Sequence, residues 1–475
     1  MTLAGWDLWQ WLAIFQHELL LFAGIFFLIG AIDDLAIDAI YLWQRATGKA
    51  RTRKVDGEAL SVEELAGPAA IFIPTWREDA VIGDTVRHAL KVWPQNNYRL
   101  YVGCYPNDAA TMAAVMDASN GDPRLRLVIH DRNGPTTKAD CLNRLYLALE
   151  ADERRAGYEA RMVLFHDAED LVDPAGLALL DRAIGQADFA QLPVLPMPRI
   201  DSRWIGSHYC EEFAESHAKA MVVRDGLGAG IPAAGVGCAV SREALRSLAR
   251  AKGGQPFAGD SLTEDYELGI GIAMQGGTCR FVRARAEDGN LIATRSYFPA
   301  RLDHVVRQKT RWVHGIALQG WDRLGWTSNP IEAWMRLRDR RGPLTAVVLC
   351  AGYILVAMAT LGWTAAYLGY AEPLTLSPFL RFLLVANMAF FAWRTLCRFA
   401  FTAREYGAME GLRAILRIPV ANIIAIMAGR RAVTAYAGTL AGKAIVWDKT
   451  DHTAHPARPL TKRLPSALVK AEGRA

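Results

Sequence analysis

Between Leu344 and Tyr370 the chain runs 27 residues without a charge. A water-soluble domain would have to cover such a helix on every side, whereas a bilayer asks only for length, about 20 apolar residues. The run predicts a transmembrane helix. Two further stretches compete for the same role. Leu19–Ile32 is apolar but short, and it extends backwards through Trp9, Trp11 and Phe15 or forwards from Ile37 to Trp43. No basic segment precedes it and no small-residue cleavage site follows, so it reads as an anchor and not as a signal peptide. Asp33, Asp34 and Asp38 near its end are expected either at headgroup level or against other helices. Phe379–Phe401 contains Arg381, Arg394 and Arg398 around a 12-residue uncharged core, Phe382–Trp393.

The basic side chains give an orientation. Residues 1–10 have no Lys or Arg, and Arg45, Lys49, Arg51, Arg53 and Lys54 follow the first stretch. Arg336, Arg338, Arg340 and Arg341 precede Leu344, the 371–378 loop has none, and Arg404, Arg413, Arg417, Arg430 and Arg431 follow the third. Positive charge gathers on the cytoplasmic side, which implies an outside N-terminus, an inside C-terminus and a large cytoplasmic middle. The net charge of +5 is a mild bias placed beside apolar segments. It suits a lipid bilayer, and no nucleic-acid partner is expected. IEAWMRLRDRRG from Ile331 and GLRAILRIPVANIIAIMAG from Gly411 mix apolar and cationic residues at helical spacing. They read as helices lying on the membrane, with surface helices of a soluble domain as the alternative. The seven cysteines form no CxxC pair and are expected to be reduced.

From about residue 67 to 325, short apolar strands alternate with helical patterns: AAIFIPTW, DTVRHALKVW, YRLYVGCYPND, TMAAVMDAS, LRLVIH, TTKADCLNRLYLALE, RMVLFHDAED. Such a βαβ series predicts a mostly parallel sheet with ligands at the carboxyl ends of its strands. The polar clusters Thr75–Asp79, Asn107–Asp108 and Asp167–Asp170 fall at those ends.

The last cluster is the most telling. In extended backbone Asp167 and Glu169 project to one side and Asp170 to another. Two converging carboxylates repel unless a cation or a proton joins them. Mg2+ or Mn2+ takes oxygen ligands and keeps positions open for phosphates, so the pair reads as a metal seat for a diphosphate. A solvated acidic loop is the alternative.

With TED at Thr263-Glu264-Asp265 and QxxRW at Gln308, Arg311 and Trp312, the ordered set resembles glycosyltransferase family 2, in particular its membrane-bound, often processive members such as cellulose and hyaluronan synthases. IFIPTWRED, YPND, GPTTKADCLN and GVGCAVSREAL belong to the same pattern. HDAEDLVDP, IPAAGVGCAVSR, KTRWVHGIALQGW, RIPVANIIAIMAGRRA and VWDKTDH resemble a phage-adsorption subgroup of that family. Full-length members of the subgroup carry a further cyclic-diguanylate-binding domain. The chain stops at Ala475, so the resemblance does not extend allosteric control by that nucleotide to it.

The resemblance implies an α/β fold: a GT-A (Rossmann-like) glycosyltransferase domain plus α-helical transmembrane and interfacial segments. The organisation expected is a membrane helix over 1–43, a basic linker over 44–66, the cytoplasmic GT-A domain over 67–325 and an interfacial helix over 326–341. Two membrane helices in 342–402, interfacial helices in 403–446 and a tail over 447–475 complete it. By resemblance, Thr75, Glu78 and Asp108 hold the nucleotide, Lys138 meets its phosphate, and Asp167 and Glu169 seat the metal. Asp stands more often at the second of these positions, and Asp170 is the substitute ligand. Asp265 is the general base and Glu264 its competitor. Arg311 contacts the diphosphate, and Gln308 and Trp312 meet the acceptor, with a membrane-interface anchor as the alternative for Trp312. Gly235, Gly237 and Cys238 sit in an acceptor loop. For Glu78 a helix N-terminal carboxylate, and for TEDYELGIGIA a helix-capping cluster, remain open as well.

The expected protein is an inverting, multi-pass transferase of the bacterial inner membrane. It moves a sugar from a UDP-sugar to a growing, secreted polysaccharide. Three spans are few for a wide channel, so a homodimer or a periplasmic or outer-membrane secretion partner is expected. A single-addition enzyme on a lipid-linked acceptor and an inactive membrane receptor or scaffold are the rivals.

Overall fold

The computed structural model describes residues 8–443, apart from 51, 371, 373 and 374, together with residues 454–458. The VWDKTDH stretch and most of the 447–475 tail lie outside the described residues, as does part of the 371–378 loop.

The first element described is a 39-residue helix, α1 (Leu8–Ala46). Seven strands then build one sheet: β1 (Ala69–Pro74), β2 (Tyr98–Cys104), β3 (Leu125–Ile129), β4 (Met162–Phe165), β5 (Phe189–Gln191), β6 (Cys238–Ser241) and β7 (Cys279–Phe281). Their order is β3-β2-β1-β4-β6-β5-β7. All pairings are parallel except those of β6, which runs antiparallel to β4 and β5. AAIFIP and MVLF are apolar throughout because both faces of these central strands are covered. Alternate residues separate the two cores. Ile71, Ile73, Val102 and Leu164 pack on one face, and Ala70, Phe72, Val163 and Phe165 on the other.

Helices α2 (Ile82–Val92), α3 (Ala109–Ser119) and α4 (Lys138–Ala156) make the crossovers. Helix α2 buries Ile82, Val86 and Ala89, one stripe at helical spacing. The chain continues through α5 (His208–Glu215), α6 (Glu264–Met274) and α7 (Leu302–Trp312). Helices α5 and α7 run on into π-helical turns, Ser216–Ala220 and Val313–Gln319. The basic linker joins the domain built on the sheet: Arg53–Lys54 pairs with Ala284–Arg285, and Leu60 and Leu65 enter the core. All seven cysteines are free thiols.

Five helices follow: α8 (Pro330–Arg340), α9 (Gly342–Tyr367), α10 (Pro378–Tyr406), α11 (Ala408–Leu416) and α12 (Ile418–Leu440). By length and composition α1, α9, α10 and α12 can each cross a membrane, one more than the three spans read from the sequence. The stretch from Gly411, read as interfacial, divides at Arg417, where Pro419 removes a backbone donor and starts a new helix.

Charged side chains tie these helices to the domain built on the sheet. Of the two places open to the α1 carboxylates, the structure takes the contacts with other helices. Asp33 accepts from Trp334 Nε1 (2.6 Å) and Arg341 (2.9 Å) and pairs with Arg338, and Asp34 accepts from Arg338 and Arg341, each at 3.0 Å. Asp38 pairs with Lys219 and accepts from Trp393 Nε1 at 2.7 Å. Arg417, wholly buried, donates to Glu211 on α5 at 2.7 Å and to Glu410 at 2.6 Å, and Arg398 joins Glu211 at 2.9 Å.

Candidate active site

The carboxyl ends of β1, β2 and β4 open on one side of the sheet, where two adjoining cavities meet. The first is lined by Thr75, Glu78, Lys138, Asp167, Glu169, Gln308 and Arg311. The second, of about 550 Å3, shares Lys138, Asp167, Glu169, Gln308 and Arg311 and adds Glu264, Asp265 and Trp312. Residues 167, 265 and 311, scattered over the sequence, thus face one space.

Backbone features hold each group. Lys138 is the first residue of α4, whose cap Thr137 accepts from Asp140 N at 3.1 Å, so the ammonium stands where a helix N-terminus already favours anions. Glu264 and Asp265 open α6, the helix start that TEDYELGIGIA suggested. Asp265 Oδ1 accepts its neighbour's N–H, from Tyr266, at 2.7 Å. Gly235 backs the same carboxylate. Its φ is +77°, and a β-carbon there would stand 2.7 Å from Asp265 Oδ2. Gly237, at φ +60°, makes way for Thr294. Thr75 Oγ1 donates to Gly103 O at 2.7 Å, and Glu78 N is held by Thr111 Oγ1 at 3.0 Å.

Two of the expected ligands are held by their own backbone surroundings. Asp108, expected to hold the nucleotide, is not among the residues that line the two cavities. It caps α3 and accepts from Arg77 N at 2.6 Å, so its carboxylate shapes the loop carrying Glu78. Asp170, the substitute metal ligand, also lines the second cavity, and its carboxylate accepts from Asp167 N at 3.0 Å, with the His166 ring also at 3.0 Å. Burial pushes its carboxyl up to about 6, against the pull of His166.

The charges are coupled. Lys138 Nζ stands 2.5 Å from Asp167 Oδ1 and 3.9 Å from Glu264 Oε1. Burial works against its ammonium, but Asp167, Glu264 and Asp265 outweigh burial and hold its pKa above the ordinary lysine value. Burial pushes Glu264 up to about 7, aided by Asp265 and opposed by Lys138. Burial also raises Asp265, opposed by Lys138.

The residues fit a hard divalent ion. Asp167 and Glu169 line the same space, and the Lys138 ammonium already stands against that carboxylate in the manner of a cation. Among the described residues no three His, Cys, Asp or Glu side chains converge on a metal position. An ion here would draw its remaining oxygens from phosphate and water, the habit of Mg2+ and Mn2+.

Sequence reading missed much of the cavity wall. Trp76 and Tyr105 meet edge to face, ring centroids 5.2 Å apart, beside Thr136 in the first cavity. Phe213 and Phe298 line the second and pack edgewise on Trp312, which lines it as well. Gln308 accepts from the Tyr209 hydroxyl at 2.6 Å. Trp76 lies inside a quoted motif and could have been singled out; Phe213 and Phe298 carry no pattern of their own.

A lone antiparallel strand, β6, set beside an acidic strand end in an otherwise parallel sheet defines a GT-A glycosyltransferase, here joined to helices that suit a membrane. The chain matches the family described as glycosyltransferase like family 2 over residues 67–315, and it belongs to that family. It is 33% identical over 451 residues to bacteriophage adsorption protein B of Escherichia coli K12, and equally to bacteriophage N4 adsorption protein B of Escherichia coli O157:H7. These matches cover 89% of this chain and 60% of each relative, so the chain spans well under the full length of both. The phage-adsorption resemblance of the quoted motifs agrees with them. Among solved structures it is similar to mannosyltransferase PcManGT of Pyrobaculum calidifontis, in complex with GDP-Man and Mn2+, at 16% identity and TM-score 0.48 over 83% of this chain and 99% of that one. It is also similar to glucosyl-3-phosphoglycerate synthase of Mycobacterium tuberculosis, at 17% identity and TM-score 0.34 over 56% and 82%.

Proposed function

We propose that this glycosyltransferase takes its sugar from a UDP-sugar and transfers it with inversion to a growing glycan, with Asp265 as general base. The observation that carries the reading is the single cavity shared by Lys138, Asp167, Glu264, Asp265 and Arg311. Lys138 and Arg311 bind the diphosphate, the latter through a planar fork suited to two oxygens. Asp265 takes the proton of an acceptor hydroxyl as that oxygen attacks the anomeric carbon. The bond from that carbon to the diphosphate breaks, and UDP leaves on the opposite face. Mg2+ or Mn2+ held by Asp167 and Glu169 would supply positive charge to the departing diphosphate. Trp76 and Tyr105 wall the nucleotide end, and Trp312 offers its indole to the acceptor.

The catalytic domain faces the cytoplasm of a bacterial inner membrane in this reading, and the product passes outward. A lipid-linked acceptor is the second reading. It is favoured by the reach of the larger cavity to Arg338 and Arg341, which bind α1.

The test is UDP release by the detergent-purified chain over a panel of UDP-sugars, UDP-N-acetylmannosamine, UDP-N-acetylglucosamine and UDP-glucose among them, with and without Mn2+. Turnover is expected with one donor and Mn2+, and Asp265→Asn should lose about 10²–10⁴-fold. Parent-like turnover in Asp265→Asn removes the base, and silence with every donor favours the inactive scaffold.

A further inference from the structure

Helix α8 shows two faces. Glu332, Arg336 and Asp339, spaced four and three residues apart, look into the catalytic domain, and Trp334, Arg338 and Arg341, spaced likewise, look toward α1. On the inner face, Arg224 Nη1 donates to both Asp339 oxygens at 2.8 Å, and the Tyr266 hydroxyl donates to Oδ2 at 3.0 Å. Tyr266 is the residue next to Asp265. Arg224 Nε also donates to Gly230 O at 2.5 Å, and Glu332 accepts from Gly230 N at 2.9 Å. Gly230 begins the loop that leads to Gly235, on which Asp265 rests. The two elements that bracket Asp265, the first turn of α6 and this loop, are therefore both fastened to α8. On its outer face, the same helix is fastened to Asp33 and Asp34 of α1 by Trp334 and Arg338 and, from the residue that caps its end, by Arg341. Arg224 and Tyr266 are buried, where such bonds are strong and their geometry is strict.

We propose that Asp339 is a positioning residue for Asp265, and that through it α8 couples the placement of the base to membrane helix α1. The inference rests on Asp265 being the base. A shift of α8 against the domain drags the Tyr266 phenol and the turn that aims the neighbouring carboxylate. Displacements near 1 Å at a reacting group lower turnover by up to about 10²-fold.

UDP release to water, which needs no glycan acceptor, is the readout in the detergent-purified full chain. Asp339→Asn is expected to lower kcat roughly ten- to a hundredfold, while donor KM, UDP affinity and Tm stay close to those of the parent. Tyr266→Phe, which removes one hydroxyl, should lose kcat in the same direction by a smaller factor, and it carries the test if Asp339→Asn does not fold. Asp33→Asn should also lower kcat, and the double variant with Asp339→Asn should lose less than the product of the single losses. Parent-like kcat in both Asp339→Asn and Tyr266→Phe, or a fall of kcat, affinity and Tm together, overturns the positioning role. Losses that multiply in the double variant overturn the link to α1. Asp265→Asn is measured in parallel: turnover retained there removes the base itself, whereas turnover lost there but intact in the other two removes only the positioning role.

Discussion

The Lys138 ammonium lies 2.5 Å from Oδ1 of Asp167, so the first residue of α4 is charge-paired with the acidic end of β4. Glu264 stands 3.9 Å from the same nitrogen. One lysine thus offsets three carboxylates from two segments about 100 residues apart in the chain.

Lys138→Met is expected to weaken UDP binding by about ten- to a hundredfold, the worth of a hydrogen bond to a charged group. Titration calorimetry with UDP and Mn2+ on the purified chain measures it. Undiminished affinity would mean that the lysine serves only its carboxylate neighbours.

The pH profile should be displaced. A base works only when ionised, and burial raises both Asp265 and Glu264, the latter to about 7. Turnover is therefore expected to fall as pH drops through a range above that of an ordinary carboxyl, near 4. Stability responds with the opposite sign. A folded-state pKa above the unfolded value means stability is fully present at low pH and is lost as pH rises through the folded value. A profile of UDP release against pH, with Tm recorded at each point, checks both slopes.

Gly235→Ala places a β-carbon 2.7 Å from Asp265 Oδ2 at a backbone φ of +77°. The left-handed conformation alone costs about 1 kcal/mol for an alanine. The clash adds a displacement of the base, so kcat should fall further than the drop in Tm explains. Gly228→Ala, also at positive φ (+70°) but with open space around it, separates the two effects.

Arg417→Met should destabilise the protein by about 3–5 kcal/mol, because Glu211 and Glu410 lose the buried partner they share, leaving Glu211 with Arg398 and Glu410 with the half-exposed Arg413. Differential scanning fluorimetry in detergent reads this as a large fall in Tm. A shift within error would show that water reaches the pair.

The catalytic sheet was legible because its signals are local. An apolar run such as AAIFIP must be covered on both faces, and a carboxylate cluster directly behind MVLF must be answered by positive charge. The antiparallel entry of β6 was not legible, since its four residues read alike in either direction. The backbone bonds of Asp108 and Asp170 were not legible for a common reason: a short acidic side chain at a strand end can serve its own backbone as readily as a ligand, and only the fold shows which bonds it makes. The destinations of Asp33, Asp34 and Asp38 depended on partners some 180 to 360 residues away, beyond any periodic pattern. In α12, Arg430 and Arg431 masked a helix whose length and composition also suit a membrane span.

The Arg417 pairing has a consequence for how this enzyme comes into being. Glu211 leaves the ribosome about 200 residues before the guanidinium that will neutralise it. The sheet can therefore collapse during synthesis, but Glu211 on its α5 flank meets Arg398 and Arg417 only after α10 and the start of α12 have been made. Completion of the sugar-transferring half thereby waits on α10 and α12, so a chain in which those two helices fail to settle should be left with a half-built catalyst open to proteases.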